Sequence, residues 1–353
     1  MYCASGSRIN RPFIAWLGFL LLAGCAATPG GNSEETPAPV VASPPAAHAG
    51  HPEHLPRNAE AAPTDRHADV VPSTQTAPDP SGKPDIRRLT VAMVGDMMLG
   101  TDYPQNHLPD DDGTSFLEAV APVLRAADIA IGNLEGVLID GGTPAKTCTN
   151  PAACYLFRSP SRYAQHFVSA GFDVLSLANN HARDFGEDGR TATMRTLDEY
   201  GILHSGREGD FASLSVHRLR VAVLAFAVTR ESNLLHDYAK AADTIARFAA
   251  SHDIVIVSFH GGAEGGNVEH VPFAEEEHYG EPRGDVARFG RLAVDAGADL
   301  VFGHGPHVVR GMELYKDRLI AYSLGNFATY YGISVADLKG VAPILEVSLD
   351  YQG

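Results

Sequence analysis

The sequence predicts an α/β fold, in which helices cover the faces of a β-sheet, and two observations predict it. From residue 88 onward, short apolar runs alternate with stretches of helical spacing. Each apolar run also leads directly into polar residues. In open α/β sheets, the side chains just beyond the carboxyl ends of the strands line the ligand crevice. The pattern therefore predicts a functional site at one edge of the sheet.

The strands of this sheet are predicted from apolar runs short enough to be buried on both faces. These runs cover residues 89–94, 128–131, 174–178, 254–259 and 298–302. Each one delivers an Asp, Glu, Asn or His to the same edge. Packing alone does not require such residues, so they are the candidates for chemistry.

The helices are predicted from the 3.6-residue spacing of apolar positions between the strands. They cover residues 116–127, 161–170, 189–200, 238–250 and 285–296. Two segments instead predict antiparallel strand pairs: residues 214–228, with a turn near Leu219, and residues 312–326, with Lys316 and Asp317 at the turn. Residues 342–349 predict a last strand.

The amino terminus has the order of a secretory signal, because Arg8 and Arg11 precede an apolar run over residues 13–23. That run is too short to span a bilayer permanently. It ends in Leu-Ala-Gly-Cys at residues 22–25, which resembles the bacterial lipobox. The resemblance implies cleavage after residue 24 and acylation of Cys25, which would anchor the protein to a membrane and face it to the periplasm. Ala26 favours the outer membrane over the inner one, and an ordinary signal peptide with a chance cysteine is the alternative.

Residues 25–87 predict a disordered tether. This segment is rich in Pro, Ala and small polar residues, and it contains over half of the chain's 23 prolines. Such a composition cannot bury enough apolar area to offset the entropy of ordering. The remaining residues, 88–353, have the length of one α/β domain.

The net charge bears on whether the protein binds nucleic acid, and the cysteines bear on its cellular compartment. The formal net charge is −16 and no basic stripe is present, which argues against a nucleic-acid surface. Cys148 and Cys154 lie six residues apart in a polar loop, and they predict a disulfide in an oxidising periplasm. A zinc site is the rival use, but no second cysteine pair supports it.

The candidate metal ligands combine carboxylate, amide and imidazole groups without a thiolate, a set suited to Mn, Fe, Zn or Mg. They are Asp96, Glu135, Asn180, His260, His304 and His307. Glu135 is the natural bridge between two divalent cations, which would activate a hydroxide for attack at phosphorus. His181, next to Asn180, is placed to protonate the leaving oxygen. Asp184 is predicted to orient His181.

Six ordered motifs between residues 89 and 327 then carry a family resemblance. They are Gly95-Asp96, Asn133-Leu134-Glu135, Ala178-Asn179-Asn180-His181 with Asp184 and Gly186, His260-Gly261 with Glu264, Gly303-His304-Gly305-Pro306-His307 and Tyr322-Ser323-Leu324-Gly325-Asn326-Phe327. Together they resemble the bacterial poly-γ-glutamate capsule-synthesis family of the CapA type, whose members resemble calcineurin-like metallophosphoesterases. The resemblance implies a four-layer α/β/β/α sandwich of two sheets. It also implies a role in capsule biosynthesis or export, with partners among the capsule polymer and the polyglutamate synthesis or export proteins.

The chain departs from the metallophosphoesterase pattern at three points. Met98 occupies a position where a histidine is usual. His304 and His307 are separated by two residues where one is usual. Gly261 and Gly262 follow the strand-end histidine, where many members of the capsule family have an aromatic residue. Each departure could weaken a metal site or reshape the pocket.

Three further side chains are candidates for substrate binding. Arg158 and Arg310 could bind an anionic group through two hydrogen bonds each, although surface ion pairing would explain them equally well, and Asn326 could line the cleft. Residues 275–277, with His270 and His278, predict a solvated loop that could cover the site. Three functions stay open: a lipoprotein of capsule synthesis, a periplasmic phosphoesterase acting on nucleotides or other phosphate esters, and a polymer-binding or scaffolding protein on the same fold.

Overall fold

The structure, a computed structural model, describes residues 16–20, 86–146 and 155–352. The described strands are β1 (Trp16–Leu20), β2 (Ile86–Met98), β3 (Ile129–Leu134), β4 (Val137–Leu138), β5 (Arg158–Ser159), β6 (Val174–Ser176), β7 (Leu203–Ser205), β8 (Ala212–Val216), β9 (Leu219–Ala227), β10 (Ile254–His260), β11 (Glu276–His278), β12 (Glu281–Gly284), β13 (Leu300–His304), β14 (Met312–Tyr315), β15 (Arg318–Ala321), β16 (Asn326–Thr329) and β17 (Ile344–Gln352). The described helices are α1 (Ala121–Leu124), α2 (Ala164–Ala170), α3 (Gly186–Glu199), α4 (Tyr238–Ala249) and α5 (Val286–Ala296).

The first sheet has the strand order β1-β17-β2-β3-β6-β7, and β16 pairs with the end of β2. Strands β2, β3, β6 and β7 are parallel, and β16 is parallel to β2. Strands β17 and β1 add antiparallel pairs at the other side. The carboxyl ends of the parallel strands therefore meet at one edge, as the sequence predicts.

The second sheet has the order β14-β15-β13-β10-β9-β8. Its four central strands are parallel, and its outer strands β8 and β14 are antiparallel to their neighbours. Both hairpins turn through two residues with positive φ, His217-Arg218 and Lys316-Asp317. Positive φ at both central residues is characteristic of a type I′ turn, whose backbone twist matches that of the paired strands. The two predicted antiparallel pairs are thus present, with the first turn immediately before Leu219.

The main core lies between the two sheets, where the inner faces of their strands meet. Val91 and Ile131 of the first sheet belong to one buried cluster with Val223, Ile256 and Phe302 of the second. The outer face of the first sheet packs against α1, α2 and α3, and the outer face of the second packs against α4 and α5. The predicted four-layer α/β/β/α sandwich is confirmed.

The helix predicted over residues 116–127 is much shorter than its apolar spacing suggests. Only Ala121–Leu124 is α-helical, and turns occupy the residues before it. The carboxylate of Asp111 accepts the backbone N–H groups of Gly113 and Ser115 at 3.0 and 2.9 Å. These bonds precede the predicted helix. Within it, the N–H groups of Phe116, Glu118 and Val120 donate to the carbonyl three residues earlier, which forms turns in place of α-helical bonds.

Several predictions concern residues outside the described part of the chain. They include Cys25, nearly all of the tether, and Cys148 with Cys154, so lipid anchoring, disorder and the disulfide stay predictions. Trp16–Leu20 pairs antiparallel with β17 along Ile344–Ser348, and cleavage before Cys25 would remove this strand. Within the described residues, no helix has the length and apolar character needed to cross a bilayer.

Gly95 is required by the close approach of two backbone segments beside Asp96. A Cβ added at Gly95 would lie 1.9 Å from the Gly325 carbonyl oxygen, which accepts the Asp96 N–H at 2.9 Å. We expect Gly95→Ala to lower the free energy of unfolding by about 2–3 kcal/mol or more, because backbone cannot move aside cheaply. Urea unfolding measures this. Gly311→Ala, whose added Cβ meets nothing within 4 Å, is the control, and equal effects of the two changes would contradict the packing argument.

Candidate metal centre and catalytic pair

The predicted donors gather at the carboxyl ends of strands from both sheets. Asp96 lies near the end of β2, and His260 and His304 are the last residues of β10 and β13. Glu135 directly follows β3. All four side chains are fully buried. The site therefore lies where the edges of the two sheets meet.

Asp96, Glu135 and His307 form the tightest group of donors in the described part of the chain. One ligand atom from each lies within 4.8 Å of the other two. His307 Nδ1 is 3.2 Å from Asp96 Oδ2, and His307 Nε2 is 3.8 Å from Glu135 Oε1. His307 has φ +59°, a left-handed conformation that is uncommon outside glycine. Such conformations concentrate at functional sites, where the surroundings hold them.

The remaining predicted donors, His260, His304 and Asn180, also carry buried polar atoms without partners among the described residues. His304 Nδ1 lies 3.6 Å from Asp96 Oδ1. Among the described residues no hydrogen-bond partner exists for either ring nitrogen of His260 and His304, either carboxylate oxygen of Glu135, or Asn180 Oδ1. Buried polar atoms without partners are rare and costly. Because all of these atoms can bind a cation, the donor set fits a divalent metal centre.

The electrostatics of the buried carboxylates lead to the same conclusion. Burial and the neighbouring Asp96 charge raise the pKa of Glu135 to about 8. Burial opposes a charge on His307, yet Glu135 and Asp96 raise its pKa to about 10. Burial raises the pKa of Asp96, but the hydrogen bond and charge of His307 outweigh it and lower that pKa. Without a metal, protons supply the positive charge that two adjacent buried carboxylates require.

Metal binding should consequently depend on pH. At pH 7 the metal-free site holds protons on Glu135 and His307, whose pKa values are raised to about 8 and about 10, and ligands must lose protons to bind a metal. We expect the affinity for Mn²⁺ to rise as pH increases from 6 to 8, by about tenfold per pH unit for each proton released. Calorimetric titration in buffers of different ionisation enthalpy measures the Mn²⁺ affinity and the number of protons released. Equal affinity at the two pH values with no proton release would contradict this prediction.

His181 and Asp184 form the predicted pair beside the donors. His181 Nδ1 is 2.8 Å from Asp184 Oδ2, and Asp184 is fully buried and also accepts the Phe157 N–H at 2.8 Å. The carboxylate therefore orients the imidazole with a proton on Nδ1 and leaves Nε2 free for chemistry. Burial lowers the pKa of His181, although the charge of Asp184 opposes this.

A chain of amides links this pair to the metal donors, and it includes two residues that sequence reasoning did not single out. The Asn133 amide donates to Asp96 Oδ1 at 2.8 Å, and Asn179 Nδ2 donates to Asn133 Oδ1 at 3.1 Å. The Asn179 oxygen then accepts the His181 N–H at 3.0 Å. Both residues belong to the family motifs, so the sequence could have indicated them. The contact between Asn133 and Asp96 depends on the register of β2 beside β3.

The predicted substrate-binding residues have other partners in the structure. Arg310 is buried and forms two bonds with Glu276, at 2.8 and 2.7 Å. Arg158 is paired with Asp102 at 2.5 Å. Asn326 Oδ1 is 2.8 Å from His307 Nδ1. These contacts favour structural roles for the two arginines and an orienting role for Asn326, and substrate contact by any of them stays a prediction.

The loop predicted to be solvated is in fact anchored by a short hairpin. Strands β11 and β12 pair over residues 276–284. Glu276 is buried against Arg310, and His278 Nε2 lies 3.5 Å from Glu264 Oε2. The loop is exposed at His270, Glu275 and Glu277 as predicted. The prediction is wrong at Glu276, which a long-range ion pair with Arg310 buries.

A cleft beside the His181–Asp184 pair has four basic residues in its wall. Its volume is about 380 Å³, and Asn180 and Asp184 contribute to its wall. The cations are Lys146, Arg183, Arg190 and Arg230. A larger cavity of about 650 Å³ lies against α4, and none of the predicted site residues lines it. The smaller cleft is therefore the candidate for substrate binding, because it is the one that predicted site residues line.

Comparison with known proteins agrees with this arrangement of motifs. A model of the bacterial capsule synthesis protein family PGA_cap matches residues 90–331, a range that contains every predicted metal ligand. The chain belongs to the PGA_cap family. The family resemblance inferred from the motifs is thereby confirmed.

Two proteins from Bacillus are among the relatives of this chain. The "Capsule biosynthesis protein CapA" of Bacillus anthracis is 30% identical over 68% of this chain and 59% of its own length. The "PGA biosynthesis protein CapA" of Bacillus subtilis is 28% identical over 68% of this chain and 63% of its own length. The chain thus spans about three fifths of these relatives. A solved Staphylococcus aureus protein, provisionally assigned as a 5′-nucleotidase and bound to alpha-ketoglutarate, has a TM-score of 0.43 and 12% identity over 75% of this chain and 54% of its own.

Proposed function

We propose that this protein acts in the biosynthesis or export of a poly-γ-glutamate capsule and that its site is a dinuclear, metal-dependent phosphoesterase centre. One observation carries the proposal. Buried, unpartnered donor atoms surround the Asp96, Glu135 and His307 group, and the hydrogen-bonded His181–Asp184 pair lies beside them. A fold that needed these residues only for packing would leave fewer buried polar atoms without partners.

The donor set assigns the residues that would hold two divalent cations, Mn, Fe, Zn or Mg. Asp96, Glu135 and His307 would form the centre, with Glu135 as the bridge, and His304, His260 and Asn180 would complete it. Divalent cations stabilise the negative charge that develops on a phosphoryl group and activate water for attack. The amide chain through Asn133 and Asn179 fixes Asp96 relative to His181.

His181 is the residue proposed to move a proton. Its Nε2 is left free by the bond from Nδ1 to Asp184, so this atom would exchange a proton with the leaving oxygen. Asp184 is held by the Phe157 N–H and lies 3.4 Å from Lys146 Nζ. The pair is therefore rigid, which general acid–base catalysis requires.

The basic residues of the cleft favour an anionic substrate. Lys146, Arg183, Arg190 and Arg230 share its wall with Asp184 and Glu231. Glu187 also pairs with Arg183 and Arg190, so four basic residues face three acidic ones. In a chain of net charge −16, a positive cleft would attract a phosphate ester or a polymer of carboxylates. The Bacillus relatives are named for capsule and PGA biosynthesis, which favours a substrate from that pathway.

In the cell, the proposal places the protein in the envelope, facing the periplasm, with a lipid on Cys25 and the tether between lipid and domain. Partners would be the polymer and the proteins that make or export it. Deletion of the gene followed by assay of surface polyglutamate tests this role. Complementation by wild type but not by Glu135→Ala would support a catalytic part in the pathway, and unchanged polymer after deletion would contradict the capsule role.

Two alternatives give different results in the same assays. A phosphoesterase acting on nucleotides or other phosphate esters would hydrolyse them with added Mn²⁺ and leave the polymer unchanged on deletion. A scaffolding protein would complement deletion even as Glu135→Ala.

A further inference from the structure

The carboxylate of Glu264 faces the proposed metal centre from the loop after β10. Its Oε1 lies 3.0 Å from Arg283 Nη2, and its Oε2 lies 3.9 Å from His307 Nε2. About a fifth of the side chain is exposed. One oxygen is therefore paired with a cation. The other lies 3.5 Å from His278 Nε2 and also near the His307 ring nitrogen that faces Glu135.

The first motif of this chain lacks a donor that metallophosphoesterases usually carry. Met98 stands where metallophosphoesterases carry a histidine, and its side chain is buried. Its sulfur accepts the Gly100 N–H at 3.3 Å, and a thioether is a poor ligand for hard divalent cations. Asp96, Glu135 and His307 therefore lack the imidazole that this position would provide.

The glycine pair after His260 is what allows Glu264 to be held there. The Gly262 N–H donates to the Arg283 carbonyl at 2.7 Å, and Arg283 Nε donates to the Gly262 carbonyl at 2.9 Å. A Cβ at Gly261 would lie 2.9 Å from the Arg283 carbonyl oxygen. Because the two glycines lack a Cβ, β12 can pack against the loop. This packing places the Arg283 guanidinium beside Glu264.

We propose that Glu264 is a ligand of the centre formed by Asp96, Glu135 and His307, that it replaces the imidazole missing at Met98, and that Arg283 orients it. This inference rests on the proposed function, because it assumes that the centre binds metal. It also gives one explanation for two departures from the metallophosphoesterase pattern, since the Gly261-Gly262 pair positions the donor that compensates for Met98.

The test measures metal binding and not turnover. Mn²⁺ is titrated into the full chain by calorimetry, and free Mn²⁺ is followed by electron paramagnetic resonance. We expect Glu264→Gln to weaken Mn²⁺ binding by at least about tenfold, and Glu264→Asp, which keeps the charge opposite Arg283, to give an intermediate loss. Glu277→Gln, an equal charge change at an exposed position of β11, should bind Mn²⁺ as wild type does.

The outcomes separate this inference from the proposed function. If both Glu264 variants bind Mn²⁺ within about twofold of wild type while melting at a lower temperature, Glu264 serves only the ion pair with Arg283, and the inference is overturned with the metal centre intact. If wild type itself binds no Mn²⁺, the proposed function fails and the inference fails with it. If Glu264→Gln does not fold, Glu264→Asp alone decides by the same comparison.

Discussion

Replacing Glu135 with alanine should remove the bound metal and leave a folded protein. Both carboxylate oxygens are buried without a hydrogen-bond partner among the described residues, and the carboxylate lies in the group with Asp96 and His307. In the proposed centre Glu135 would contribute to both cations, so we expect metal affinity to fall by about 100-fold or more, beyond the loss typical of residues that only orient ligands. Elemental analysis after gel filtration measures bound metal per chain.

In the metal-free protein, the buried Glu135 carboxylate should lower stability at high pH. Burial raises the pKa of Glu135 to about 8, so its contribution to stability is present below pH 4.5 and is lost as pH rises through about 8. Glu135→Gln removes this titration and should make the metal-free protein more stable than wild type near pH 8. Urea unfolding with a chelator present tests this, and Glu199→Gln on the exposed face of α3 is the control. Retained metal in Glu135→Ala, or a less stable Glu135→Gln, would contradict the assignment.

Replacing His181 with alanine should abolish turnover without removing metal. Its imidazole is held by Asp184 at 2.8 Å and contributes no atom to the tightest donor group. Loss of a general acid or base typically costs about 10²–10⁴-fold in rate. We expect a fall of this size in the turnover of a chromogenic phosphodiester with added Mn²⁺.

Two further variants make the His181 result specific. Asp184→Asn should also slow turnover, because the amide no longer favours a proton on Nδ1, and it should lower stability because Asp184 accepts the buried Phe157 N–H. His270→Ala changes a histidine whose side chain is 95% exposed and should leave the rate unchanged. If metal is lost from His181→Ala, the residue is a ligand and not the proton donor.

Much of this account could be predicted from the sequence because it depends on local patterns. Short apolar runs ending in polar residues located the strands and the edge where Asp96, His260 and His304 meet. A glycine before Asp96 was visible in the motif, although its reason, the contact with Gly325, was not. Local periodicity also indicated most helices. It failed at residues 116–127, where the N–H groups of Phe116, Glu118 and Val120 donate to carbonyls three residues earlier and form turns.

The parts that sequence could not supply depend on contacts between distant residues. The cationic cleft joins Lys146, Arg190 and Arg230, which are separated by other elements in the chain. The partner of Arg310 is Glu276, which lies in a run of acidic residues typical of a solvated loop. Arginine and glutamate form ion pairs both on the surface and in the interior of proteins. Only the fold shows that the pair of Arg310 and Glu276 is buried.

The measurement that tests the central claim most directly is the metal content of the purified wild-type protein, combined with its turnover of a phosphodiester with added Mn²⁺. The account predicts about two divalent cations per chain, as expected of a two-metal site, and metal-dependent hydrolysis that a chelator abolishes. A folded protein that binds no metal and hydrolyses nothing would contradict it, and the cationic cleft would then be a binding site for an anionic polymer or partner.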